Sequence, residues 1–262
     1  MRLAVAATSP FGADVLERLA FDHDVAYLLT RPDRRRGRGR RVGPPPAKEI
    51  AERLWIEVRQ PQELADFDPG EDVVVLAAYG ALIPEPVLGR ALWLNVHPSL
   101  LPRWRGAAPI ERALMAGDPE TGVTIIRLVS ELDAGPIAAQ RSFPVGVEDD
   151  FGTVSARASE LGVELLKEVL PAPAFRPQGE EGVTYAEKIG PADRELDWSR
   201  PAQELLNRIR ALSPHIGARA ELHGKPVTVW RARIEGGKLV PAEVQPDGGR
   251  RMDYEAFLRG LR

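Results

Sequence analysis

Apolar positions along this chain alternate between two spacings. Arg2–Ala7 is a short apolar run closed by a turn at Thr8-Ser9-Pro10, after which Ala13, Val15, Leu16 and Leu19 recur at helical spacing. That pattern predicts strand, turn and helix. Val25–Leu29 is the next strand-like run, and Pro44-Pro45-Pro46 opens a helix over Ala47–Leu54, proline being tolerated in a first turn. Asp72–Ala78 is β-branched and aliphatic without polar alternation, as in a central parallel strand covered on both faces. Trp93–Val96 and Val123–Leu128 repeat it, with a helix at Ala108–Ala116 between them and another at Val154–Val169. The alternation predicts an α/β fold with an open, mostly parallel sheet of Rossmann-like type.

Periodicity stops at Pro171–Gly182, where three prolines and two glycines fall among charged residues. We place a linker at 171–184, between a sheet domain at 1–170 and a small, mostly β domain at 185–262. In the latter, Leu205, Leu206, Ile209 and Leu212 share one face of a helix capped at Ser199-Arg200-Pro201, and strand-like runs follow at Ala218–Leu222, Lys225–Ala232 and Leu239–Gln245.

Composition narrows the function classes. With 262 residues, 44% hydrophobic and 28% charged, the chain can bury a core and is neither disordered nor fibrous. Zero cysteines exclude a disulfide framework, a thiolate nucleophile and a Cys-type zinc site. No apolar run approaches the ~20 residues of a membrane-spanning helix, so a cytoplasmic protein with no membrane partner is expected. The first turn lacks the glycines of a dinucleotide site, and no Walker loop is present. None of the spacings among His23, His97, His215 and His223 suits a metal, and none is expected.

Charge is localised. The formal net charge is −3, yet residues 185–262 carry +3, and Arg31-Pro32-Asp33-Arg34-Arg35-Arg36-Gly37-Arg38-Gly39-Arg40-Arg41 has seven arginines against one aspartate. Such an island is either a solvated segment or a device for a polyphosphate ligand. Arg208, Arg210, Arg231 and Arg233 carry the positive balance of the tail.

Candidate chemistry centres on Leu94-Asn95-Val96-His97-Pro98-Ser99-Leu100-Leu101-Pro102. Residues two apart in a strand share a face, so Asn95 and His97 present an amide and an imidazole together at a strand end, where open α/β sheets bind ligands. Equally, both side chains could simply satisfy turn hydrogen bonds. Asp133, before Ala134-Gly135-Pro136, is either a turn former or a third member of the set. Asn, His and Asp include no nucleophile, which suits a reaction whose substrate supplies one: the amide and imidazole hold an oxyanion while the carboxylate fixes the imidazole.

Asn95-Val96-His97-Pro98-Ser99-Leu100-Leu101-Pro102, with Leu132-Asp133-Ala134-Gly135 downstream, closely resembles the signature of the 10-formyltetrahydrofolate-dependent formyltransferases. Arg105-Gly106-Ala107-Ala108-Pro109-Ile110, the arginine segment, and Thr184-Tyr185-Ala186-Glu187-Lys188-Ile189 are similar to the branch that acts on methionyl initiator tRNA. The resemblance implies Asn95, His97 and Asp133 as catalytic residues, and Ser99, Leu100, Leu101 and Pro102 with Ala78, Tyr79 and Gly80 as the site of the donor, 10-formyltetrahydrofolate. It implies Arg31, Arg34, Arg35, Arg36, Arg38, Arg40 and Arg41 as tRNA-contacting, and a monomer. Between Trp230 and Glu243 the chain is shorter than that family's, so an OB-like C-terminal unit with fewer strands is expected. The alternatives are formyl transfer to an amino sugar nucleotide or glycinamide ribonucleotide, and a noncatalytic RNA-binding protein on the same fold.

Overall fold

The computed structural model describes residues 1–36 and 41–261. In chain order the elements are β1 (Arg2–Ala7), α1 (Pro10–Asp22), β2 (Asp24–Leu29), β3 (Arg34–Arg36), β4 (Arg41–Gly43), α2 (Pro46–Arg53), β5 (Glu57–Arg59), β6 (Val73–Ala77), α3 (Glu85–Leu88), β7 (Leu92–His97), β8 (Arg105–Gly106) and α4 (Pro109–Ala116). There follow β9 (Glu120–Arg127), β10 (Ile137–Pro144), α5 (Phe151–Val169), β11 (Tyr185–Ala186), α6 (Pro191–Arg194), α7 (Ala202–Leu212), β12 (Ala218–Leu222), β13 (Lys225–Glu235), β14 (Lys238–Pro246), β15 (Met252–Asp253) and α8 (Tyr254–Arg259). Two compact units result: Met1–Arg105 with Gly122–Ser142 and Ala156–Thr184, and Gly106–Thr121 with Phe143–Ser155 and Tyr185–Arg262.

The first unit is built on a seven-stranded sheet in the order β10-β9-β7-β6-β1-β2-β5, the Rossmann-like arrangement that the alternating pattern predicts. β1 pairs in parallel with both β2 and β6, and β6 with β7, which accounts for their unbroken apolar sequences. Helix α1 starts on a Ser9 cap whose hydroxyl accepts from Gly12 N. A Cβ on Gly12 would lie 2.2 Å from Ala77 O, so only glycine lets the helix seat this closely on β6. The glycine of this first turn serves packing.

One strand reverses the expectation. β9, read from its apolar run as parallel, pairs antiparallel with β7, Asn95 opposite Ile126 and His97 opposite Thr124. A fully apolar run reports burial on both faces, which a strand of either direction can have. The arginine segment, read as a loop, forms the antiparallel ribbon β3–β4, with Arg34 opposite Gly43 and Arg36 opposite Arg41. Its root is tied down: Lys48 Nζ donates to both Asp33 carboxylate oxygens at 2.9 Å and to Gln60 Oε1 at 3.0 Å, while Gln60 Nε2 donates to Arg31 O at 2.8 Å.

In the second unit β12-β13-β14-β15 form an antiparallel sheet. Gly236 and Gly237, both at positive φ, make the two-residue turn that lets β13 run straight back as β14. Leu205, Ile209 and Leu212 of α7 pack on Ala218, Val227, Val229, Val244 and the α8 residue Phe257. On another side of the same helix, Ala211 packs with Ile110, Leu114 and Val154, so α4 and the first turn of α5 share the core of this unit. Arg210 reinforces that packing by donating to Asp149 O and Gly146 O, each at 2.6 Å.

Arg112 of α4 grips Asp193 of α6 through both guanidinium ends, at 2.7 and 2.9 Å, and this hydrogen bonding holds the Asp193 carboxyl below its ordinary value of 3.8. A carboxylate whose folded-state pKa is depressed stabilises the fold above its unfolded-state value, and the contribution is lost as pH falls through the folded-state value. Asp193→Asn is expected to lower unfolding stability by about 1–2 kcal/mol at pH 7 and by progressively less below pH 4. Urea titrations of both proteins across that range read the difference; a gap that stays constant down to pH 2 contradicts it.

Candidate active site

Strand β7 delivers Asn95 and His97 to its C-terminal end, and both side chains are buried. Asp133 reaches them from the loop 128–136. The route is not the one that the sheet order suggests, because the antiparallel β9 ends beside Leu94 rather than beyond His97. The loop instead folds back, closed by Arg127 N donating to Pro136 O at 3.0 Å, with Gly135 pressed so tightly on Arg127 that a Cβ there would overlap its carbonyl oxygen. Asp133 itself takes a left-handed conformation, φ 47°, which costs a non-glycine residue about 1 kcal/mol.

Asn95 Nδ2 donates to Asp133 Oδ1 at 3.1 Å, and Asp133 Oδ2 lies 3.7 Å from His97 Nδ1. His97 Nε2 lies 2.8 Å from Trp104 O. A carbonyl oxygen only accepts, so Nε2 carries a hydrogen, and Nδ1, facing the carboxylate, is the nitrogen that can take or give a proton. Trp104 holds its carbonyl in place at φ 63°, with its own N–H bound to Thr184 Oγ1 at 2.9 Å. An amide nitrogen has two N–H bonds, and Asn95 commits one of them to Asp133. The other is available to a substrate oxygen. Beside this set is a cleft of about 90 Å³ walled by Leu76, Leu82, Ile83 and Leu88 on one side and by the loop from Leu128 to Asp133 on the other.

The remaining candidates divide. Ser99 is fully buried and turns its hydroxyl onto Arg103 O at 2.7 Å, closing the loop on itself. Leu101 packs on Ile126 and Ile137, while Leu100 and Pro102 are half-buried. Ala78 and Gly80 are exposed, both at positive φ, whereas Tyr79 between them belongs to the core under β6 and β7, where burial pushes its phenol pKa up. Arg31 and Arg34 lie at the ribbon root and in β3; Arg35, Arg36 and Arg41 are ribbon residues; Arg38 and Arg40 lie outside the described residues. Among the described residues, no three His, Asp or Glu side chains are grouped to hold a metal ion, and no helix is long and apolar enough to cross a membrane.

Three of the four tail arginines make hydrogen bonds within the second unit. Besides Arg210, Arg208 donates to Glu195 O and Arg233 pairs with Glu235.

Residues 1–170 match the formyl transferase family model, and residues 188–238 match the model described as formyl transferase, C-terminal domain. The chain belongs to the formyl transferase family. A relative from Dechloromonas aromatica named methionyl-tRNA formyltransferase is 40% identical, covering 99% of this chain and 96% of its own. That alignment runs over 295 residues, more than the 262 here, so the relative carries residues within the span that this formyl transferase lacks. The fold is shared with methionyl-tRNA formyltransferase from Clostridium thermocellum, with TM-score 0.66, 16% identity and coverage of 94% and 98% of the two chains. It is shared also with HypX from Aquifex aeolicus in complex with tetrahydrofolic acid, with TM-score 0.68, 19% identity and coverage of 98% and 46%.

Two polar residues of this formyl transferase escaped the sequence reading. Thr124 Oγ1 donates to Ser99 O at 2.7 Å while accepting from Leu101 N at 3.1 Å and Gln140 Nε2 at 2.9 Å; Gln140 also donates to Leu101 O. A threonine inside an apolar run was the available signal; its place opposite His97 comes from the antiparallel register. Thr124→Val preserves shape but leaves a buried N–H and a buried C=O unpartnered. The expected loss is about 2–3 kcal/mol of stability by denaturant titration; a loss under 0.5 kcal/mol would mean that the loop does not depend on this hydroxyl.

Proposed function

We propose that this protein transfers the formyl group of 10-formyltetrahydrofolate to the α-amine of methionyl initiator tRNA, acting as a monomer in the cytoplasm. The observation that carries the chemistry is the buried Asn95–Asp133–His97 set, whose Asn95 and Asp133 line a cleft of mixed aliphatic and polar character. That cleft has aliphatic walls on one side and loop backbone on the other, a combination that suits the flat heterocycle of a folate. With the family established, the donor follows; Ala78, Gly80, Leu100 and Pro102 are exposed or half-buried candidates for its contact, Tyr79, Ser99 and Leu101 are buried, and none of the seven lines that cleft.

The amine lone pair attacks the formyl carbon, forming a C–N bond and moving the carbonyl electrons onto oxygen. The free N–H of Asn95 meets that oxyanion. The proton released by the amine passes to His97 Nδ1, where Asp133 stabilises the imidazolium, and then to N10 of the folate as the bond from N10 to the formyl carbon breaks. The products are the formylated amine and tetrahydrofolate, and the imidazole returns to its starting state.

The arginine ribbon favours tRNA over a small acceptor. Seven arginines in eleven residues supply planar guanidinium groups suited to bidentate phosphate contact, and Lys48 pairs with Asp33 at the root of the segment. The relatives' names point the same way.

Asn95→Ala is expected to lower kcat by ~10²–10³ with the protein folded, and Asp133→Asn to lower it and change the pH–rate profile. Undiminished kcat in Asn95→Ala ends the assignment. Assays with methionyl-tRNA, an amino sugar nucleotide and glycinamide ribonucleotide separate the acceptors. Replacing Arg35, Arg36, Arg38 and Arg40 together by Gln is expected to raise KM for tRNA and flatten its dependence on salt, leaving the folate KM alone. A salt slope equal to the parent's makes the ribbon a solvated ornament.

A further inference from the structure

The stretch placed as a linker contains a residue whose side-chain amide joins the Asp133 turn to Arg105. Gln178 Nε2 donates to Asp133 O at 2.8 Å and to Gly135 O at 2.7 Å, and its Oε1 accepts from Arg105 Nε at 3.2 Å and Nη2 at 2.7 Å. Its neighbour Arg176 exchanges both backbone hydrogen bonds with Ile137 at 2.7 and 2.9 Å, pinning this segment alongside the loop that holds Asp133. Arg105 follows Trp104, whose carbonyl fixes His97 Nε2, and both residues are held through their backbone N–H groups by Thr184.

The two members of the proton-transfer pair are therefore braced from adjacent positions of one chain segment. Trp104 holds the imidazole by its carbonyl, and Arg105 holds the Asp133 turn through Gln178. That turn needs holding, because Asp133 is in a left-handed conformation and the 3.7 Å between Nδ1 and Oδ2 is wider than a hydrogen bond. A small shift of the turn in either direction changes whether the proton can be shared.

We propose that Gln178, together with Arg105, is a positioning residue that sets the separation of His97 and Asp133, so that 171–184 is part of the catalytic apparatus and not a tether. The inference rests on the formyl-transfer reading above. Neither residue touches the reacting atoms in this arrangement. Their effect falls on kcat, on the pH–rate profile and on each other.

Gln178→Ala, Arg105→Ala and the double variant are compared with the parent in formylation of methionyl-tRNA. Gln178→Ala is expected to lower kcat by about ten- to a hundred-fold, the scale of a misplacement near 1 Å, with both KM values within about two-fold and an altered pH–rate profile. Because the two act through one brace, the double variant is expected to lose no more than the worse single one. Should Gln178→Ala fail to fold, Gln178→Glu keeps the size and the acceptor for Arg105 but removes both donors, and the same kcat loss is expected. Losses that multiply, a rise in KM with kcat unchanged, or an unaltered pH–rate profile would overturn the proposal. If the parent itself fails to formylate methionyl-tRNA, the functional reading falls instead; parent activity with an undisturbed Gln178 variant defeats only the brace.

Discussion

One hydrogen bond organises the centre of this molecule: His97 Nε2–H to the carbonyl of Trp104. It decides which ring nitrogen carries a hydrogen at rest, and so it places the reactive nitrogen toward Asp133 and not toward the chain that covers it. To make it, the polypeptide must leave β7, turn, and bring a carbonyl back over the imidazole only seven residues later. The buried Ser99 hydroxyl bonded to Arg103 O, the Thr124 hydroxyl bridging Ser99 and Leu101, and Thr184 holding the Trp104 N–H each satisfy a polar group that this tight return would otherwise leave unpartnered. The signature Asn95 to Pro102 is in this light mainly a description of a loop. Most of its residues shape the return, and few are exposed enough to meet a ligand.

The reversal of β9 serves the same end. A parallel strand beside β7 would finish beyond His97 and carry the following loop past it. An antiparallel one finishes beside Leu94, and the loop from 128 to 136 then folds back to bring Asp133 against Asn95. The cleft forms between that loop and the aliphatic residues after β6, so the wall that offers backbone polar groups and the carboxylate that meets the imidazole come from one segment. Strand direction, cleft and the Asn95–Asp133–His97 geometry are a single structural choice.

The sequence revealed elements far better than it revealed relations between them. Strands and helices signalled by apolar runs and 3.6-residue spacing lie close to their expected positions, because burial alone defines those patterns. Direction in β9 was not legible, since burial on two faces is compatible with both. Asn95 and His97 could be paired by the period of a strand, but the Asp133 route, the Trp104 carbonyl and Gln178 depend on backbone geometry far from any motif. Gln178 was hidden for a particular reason: a loop without periodicity and rich in proline looks the same whether it is slack or fastened, as this one is at Arg176, Gln178 and Thr184. The short ribbon β3–β4 was likewise concealed by its charge, which carries no information about strand pairing.

Arginine does two different things in this chain, and counting charges cannot separate them. Arg210 and Arg208 point their forks at backbone carbonyls, Arg112 at a carboxylate, and Arg105 at an amide. Arg210, Arg112 and Arg105 each serve as a multi-donor connector through a planar fork whose fixed geometry a lysine ammonium does not reproduce. In the segment at 31–41 seven arginines stand against one acidic residue, Asp33, which Lys48 pairs. In the second unit Arg210, Arg208, Arg112 and Arg194 spend their N–H groups on that unit's own carbonyls and carboxylates, so arginines that count alike in a net charge do unlike work.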